Sequence, residues 1–101
     1  VEYPTFTTSA VNVVENHDIE WPRLEADDFV VAIGSTRPLE DVCRVAYREL
    51  IHRLERDFGF ERYDAYMMLS QCGKIRLGNF VDPKYTIGAA IPKNISPDFP
   101  A

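Results

Sequence analysis

Apolar residues recur at Leu39, Val42, Cys43, Ala46, Leu50, Leu54 and Phe58, and this spacing commits the middle of the chain to one long amphipathic helix. Its start and stop are written in the same stretch. Pro38 suits a first helical position, where a missing N–H costs nothing, and Glu40 and Asp41 complement the dipole of the first turn. Gly59 supplies a left-handed stop. Glu40 with Arg44 and Glu49 with Arg53 are four apart and are expected to pair on the solvated face. A second, shorter helix is expected over residues 62–72, ending at Gly73, with Ala65, Met68, Leu69 and Cys72 along one face.

Strands are expected on either side of this helical centre. Residues 5–14 (TFTTSAVNVV) are rich in β-branched types and read as a strand. Residues 15–28 contain Trp21-Pro22 and an acid cluster and read as a long irregular loop, uncommon in a compact domain unless functional. Phe29-Val30-Val31-Ala32-Ile33 is a continuous apolar run, expected to be a strand covered on both faces and broken by Gly34-Ser35-Thr36. In residues 74–81, Ile75, Leu77 and Val81 share one strand face; in residues 85–91, Tyr85, Ile87, Ala89 and Ile91 do so. Asp82-Pro83-Lys84 reads as the turn between them, and residues 92–101 as an extended surface tail. The order is β-β-α-α-β-β. It implies an α+β fold in which two helices pack on one face of a mixed or antiparallel sheet.

Composition excludes several functions. With 46% hydrophobic and 12% aromatic residues, the 101-residue chain can build a core as a single domain rather than remain disordered. The longest apolar run, at residues 29–33, falls far short of the roughly 20 residues that span a bilayer. The net charge of −5 is concentrated in residues 15–28, where six acids face one base, and the rest of the chain is neutral. Without a basic stripe, neither nucleic acid nor an anionic membrane surface is an expected partner. Cys43 and Cys72 are not in a CxxC pair, and a reduced, cytoplasmic setting is the simplest expectation.

Few residues point to chemistry. His17, flanked by Asn16 and Asp18 and with Glu15 and Glu20 close by, could ligate a divalent metal or act as a base of raised pKa. The spacing matches no compact ligand motif, and pinning of a surface loop is the preferred reading. Cys72 at a helix C-terminus is poorly placed for a thiolate, and Cys43 falls on the apolar stripe. His52, among arginines, is expected to be solvated, and Met67 and Met68 to fill core gaps. Asn79 lies in an apolar row and needs a partner or a cavity; Asp82, before Pro83, is first of all a turn residue. Gly78 and Gly88, one per strand, allow close approach of another backbone or a ligand, and sheet packing explains them equally well. No P-loop, dinucleotide-binding glycine pattern, HExxH or Ser-His-Asp signature occurs.

Longer stretches are more specific. DAYMMLS at residues 64–70 and GKIRLGNFVDPKYT at residues 73–86 resemble the C-terminal portion of the acetamidase/formamidase family. So do ENHDIEWPRL at residues 15–24 and RPLED at residues 37–41, so the resemblance covers nearly the whole chain in order and is closer to the acetamidases. Members of that family are longer and hydrolyse short linear amides to a carboxylate and ammonia. The resemblance implies a metal-dependent enzyme, with zinc as the metal and its main ligands in an N-terminal portion outside these residues. It also implies a small amide substrate and a homo-oligomer. No metal ligand is assigned to any position here. Asn16, His17, Asp18, Asn79 and Asp82 are candidates for lining the site or a subunit contact. The chain opens on Val1-Glu2-Tyr3-Pro4 without Met and is expected to be the interior of a longer polypeptide. A non-catalytic assembly module using an uncovered sheet face or edge is the alternative, and a stand-alone cysteine hydrolase using Cys72 is a third reading of lower rank.

Overall fold

A computed structural model describes residues 2–80, 83–96 and 99. Four strands, β1 (Arg23–Glu25), β2 (Phe29–Thr36), β3 (Lys74–Asn79) and β4 (Tyr85–Pro92), form one sheet in the order β1-β2-β4-β3, and every neighbouring pair is antiparallel. Two helices, α1 (Leu39–Asp57) and α2 (Arg62–Cys72), connect β2 to β3 and lie on one face of the sheet. The α+β architecture and the element order are those expected, and the sheet resolves to antiparallel.

The helices begin and end as their residues dictate. Pro38 stands one position before α1, and its carbonyl accepts from the N–H groups of Asp41 (3.0 Å) and Val42 (3.2 Å). At the far end Gly59 has φ +75, a conformation that costs a residue bearing Cβ about 1 kcal/mol or more. The Glu61 carboxylate caps α2 by accepting from the N–H groups of Tyr63 (2.9 Å) and Asp64 (3.1 Å), donors that have no partner within the helix.

The core joins Val42, Ala46, Leu50 and Leu54 of α1 and Ala65 and Leu69 of α2 to Val30, Ala32, Ile87, Ala89 and Ile91 of the sheet. Each large side chain so buried contributes roughly 1.5–3 kcal/mol. Gly34 lets α1 settle close against β2: a Cβ there would sit 3.0 Å from the Val42 carbonyl oxygen and 3.1 Å from Val45 Cγ1.

Several expectations are corrected. Residues 5–14 form no strand; Phe6 is 96% exposed and Val13 88%, because β-prone side chains become a strand only beside a hydrogen-bonding neighbour and none among the described residues pairs with them. The segment read as a loop contains β1, which pairs with β2 through Leu24 and Val31. Gly34-Ser35-Thr36 continue β2 rather than break it. Burial along β2 alternates, so only one of its faces is covered by helices. Glu49 and Arg53 are buried instead of solvated, and Arg53 pairs with Glu25 while Glu49 lies near His52. Ile75 and Leu77 do share a face with the core, since they pair with Ala89 and Ile87, but β3 is an edge strand beyond the helices and they are 44% and 53% exposed. The tail is anchored: a 3₁₀ turn at Lys93–Ile95 follows β4, and Phe99, 6% exposed, packs on Phe58 and Phe60 with ring centres 5.0 and 5.2 Å away. Val81, which the sequence places in β3, lies outside the described residues.

Candidate functional site

With both helices on one face, the opposite face of the sheet carries a groove of about 440 Å³. Side-chain alternation selects its lining. β2 contributes Phe29, Val31 and Ile33, β4 contributes Thr86, Gly88 and Ala90, and β3 contributes Lys74 and Arg76. Because β4 lies between β2 and β3, its small side chains form the floor and the larger neighbours form the walls. Lys74 Nζ lies 5.7 Å from the centre of the Phe29 ring, a cation–π contact that links the two walls near Ala90. At the other end Ser35 Oγ and Thr86 Oγ1 are 3.1 Å apart and hydrogen-bonded.

A charged network on the helix side holds this sheet in place. Arg53 of α1 is 7% exposed. Its Nη1 donates to the carbonyl oxygens of Leu24 (2.7 Å) and Val31 (2.9 Å), and its Nη2 donates to Glu25 Oε1 (3.2 Å). Nε is buried without a hydrogen-bond acceptor among the described residues and sits 3.8 Å from Asp57 Oδ2. Arg23 Nη1 bonds to the same Asp57 oxygen at 3.1 Å, and Lys93 Nζ donates to Glu25 Oε2 at 2.7 Å. A strand of three residues has few ladder bonds of its own; here one guanidinium fastens it to β2 and α1. Burial lowers the pKa of Arg53, against the opposing pull of Glu25. The hydrogen bond from Lys93 holds Glu25 below the usual carboxylate range, against a smaller opposing effect of burial, with help from the Lys93 and Arg53 charges.

Among the described residues, the candidates Asn16, His17 and Asp18 and the candidate Asn79 lie in separate parts of the chain. Asn16, His17 and Asp18 are exposed in a turn where Asn16 has φ +57, and no hydrogen bond or ion pair joins them to Asn79 among the described residues. Asn79 is half-buried, and its Nδ2 donates to the Lys84 carbonyl oxygen at 3.2 Å, so it pins the β3–β4 connection. A register shift between Leu77 and Asn79 turns that end of β3. Asp82 lies outside the described residues. Cys43 and Cys72 are free thiols, both half-buried. His52 Nδ1 lies 3.8 Å from Glu49 Oε1. Arg53, the best-partnered polar residue, was not foreseen as more than a surface pair. Its signal was available: position 53 falls on the stripe of Ala46, Leu50 and Leu54, and a cation in an apolar stripe needs buried acceptors.

Zinc, the metal the resemblance implies, finds no complete ligand set among the described residues of this chain. Among those described, no three His, Cys, Asp or Glu side chains converge. No helix among them is long and apolar enough to cross a membrane.

Against solved structures, the chain is similar to an acetamidase from Yersinia enterocolitica, with 58% identity and a TM-score of 0.79 over 81% of this chain. This chain is similar to one part of that acetamidase. It covers 25% of that enzyme's length. An acetamidase from Bacillus halodurans, 20% identical, shares the fold with a TM-score of 0.69 over 79% of this chain and 27% of its own. No protein-family model and no curated protein matches the sequence. The acetamidase resemblance read from the motifs is thus met independently in a solved enzyme. The chain spans about a quarter of the length of the acetamidases it matches.

Proposed function

We propose that this chain is the C-terminal portion, one domain, of an amide hydrolase that cleaves short linear amides of the acetamide and formamide type to a carboxylate and ammonia. The observation that carries this reading is the 58% identity to an acetamidase over 81% of the chain. Water activation and the divalent metal, zinc by resemblance, belong to the part of the enzyme outside these residues, and this portion completes the fold around them. The chain's own geometry agrees with that division. Its polar cluster around Arg53 is engaged in holding strands, and among the described residues no hydrogen bond or ion pair gives Cys43, Cys72 or His17 a partner for nucleophilic or acid–base work. The working enzyme is a cytoplasmic homo-oligomer in this reading.

The test is ammonia release from acetamide and formamide, with this chain alone and with the remaining portion supplied. Turnover only in the mixture is expected, together with metal that is retained only by the mixture. Robust turnover by the isolated, metal-free chain overturns the division of labour. A second reading, a non-catalytic assembly module, is favoured by the open apolar face of the sheet. It requires association in solution with neither amide turnover nor bound metal in the mixture.

A further inference from the structure

We propose that the groove along β4 is the seat of the enzyme's remaining portion, through an apolar segment that carries acidic side chains along one margin. The inference rests on the amide-hydrolase reading and assigns the surface that reading leaves open.

The shape comes first. Thr86, Gly88 and Ala90 form a floor between Val31 and Ile33 on one side and Lys74 and Arg76 on the other. Strands are about 4.8 Å apart, so walls two strands apart stand about 10 Å from each other, the width of one packed helix or of one layer spacing. The chemistry agrees. An antiparallel sheet with a wet face carries polar residues there, whereas β2 presents Phe29, Val31 and Ile33. A face of that composition belongs against a second layer.

The charges and the chain length identify the occupant. Lys74 and Arg76 form no ion pair among the described residues, so their wall calls for acids. Among the described residues no Asp or Glu lines the groove itself, and the acids nearest to it, Asp27 and Asp28, lie at its Phe29 end beside Lys74 and not along the Arg76 margin, so a second copy matches that wall poorly. The acetamidase of Yersinia enterocolitica carries this unit as 25% of its length, so three-quarters of such an enzyme is at hand to supply the layer.

The experiment mixes this chain with the part of the Yersinia enterocolitica acetamidase that it does not cover, and measures the dissociation constant by sedimentation at two salt concentrations. Ala90→Glu places a charge on the groove floor, on the face away from the core. It is expected to weaken the complex by about a hundredfold. The paired charge reversal Lys74→Glu with Arg76→Glu, both exposed, is expected to weaken it by about tenfold and to reduce the salt dependence. It also carries the test if Ala90→Glu proves unfolded by circular dichroism. Arg48→Glu, on exposed α1 surface, is expected to change nothing. If the wild-type chain forms the complex and the groove variants bind as tightly, the groove is not the seat, while the hydrolase reading stands. If the wild-type chain forms no complex, the hydrolase reading falls and the seat with it. Self-association of this chain, abolished by Ala90→Glu, assigns the groove to a second copy and overturns the proposal.

Discussion

Arg53 donates through Nη1 to the carbonyl oxygen of Val31 at 2.9 Å, tying α1 directly to the backbone of β2. The same nitrogen reaches the Leu24 carbonyl at 2.7 Å, so one buried side chain closes the angle between a helix and two strands. Removing it leaves two acceptors without their donor and β1 without its clamp. Arg53→Met is expected to destabilise the chain by about 2–3 kcal/mol in urea unfolding. Arg53→Lys should recover only part of that loss, because an ammonium cannot reproduce the fork. A midpoint within experimental error of wild type for Arg53→Met would show the clamp to be incidental.

Acid weakens the same network. Glu25 has a folded-state pKa below its ordinary value of 4.5. Its stabilising contribution is therefore complete above pH 4.5 and is lost as the pH falls through the lower folded value. Glu25 is partly exposed, so the effect is modest. Thermal midpoints of wild type and Glu25→Gln, followed from about pH 6 to about pH 3, should converge toward the acid end. Parallel curves would contradict the assignment.

Gly34 sets the distance between α1 and β2. A Cβ at this position meets the Val42 carbonyl oxygen at 3.0 Å, and backbone yields less readily than a side chain. Gly34→Val is expected to cost about 1–3 kcal/mol, whereas valine suits a strand everywhere else. Chemical denaturation measures it directly, and a stabilised variant would refute the close approach.

Phe99 fastens the chain after β4 to the helical layer through Phe58 and Phe60. Phe99→Ala should cost about 3 kcal/mol and speed amide exchange in residues 92–96. Unchanged exchange there would mean that the aromatic cluster does not hold the tail.

The elements that could be read from the sequence are those whose burial writes a period into it. The stripe of Val42, Ala46, Leu50 and Leu54 announces α1, and the alternation of Ile87, Ala89 and Ile91 announces β4. β1 has no such period. Its three residues are a strand because Arg53, 28 to 30 positions away, meets their backbone and Glu25. Residues 5–14 show the converse: strong β propensity with no pairing partner among the described residues. Gly88 lies on the groove floor beside Val31, where a Cβ would sit 3.3 Å from Val31 Cγ1, and its place between Val31 and Arg76 depends on a strand order that local pattern does not encode. Asn79 does find the partner its position demanded, in a carbonyl five residues away. His17 and its neighbours attracted notice by composition alone and sit in solvent.

The most direct measurement is the native mass of the particle that contains this chain, with amide hydrolysis and metal followed in the same fractions. The expected result is that acetamide or formamide turnover and bound metal travel together with this chain and the enzyme's remaining portion in one particle. A particle made of this chain alone that hydrolyses amides without metal would contradict it.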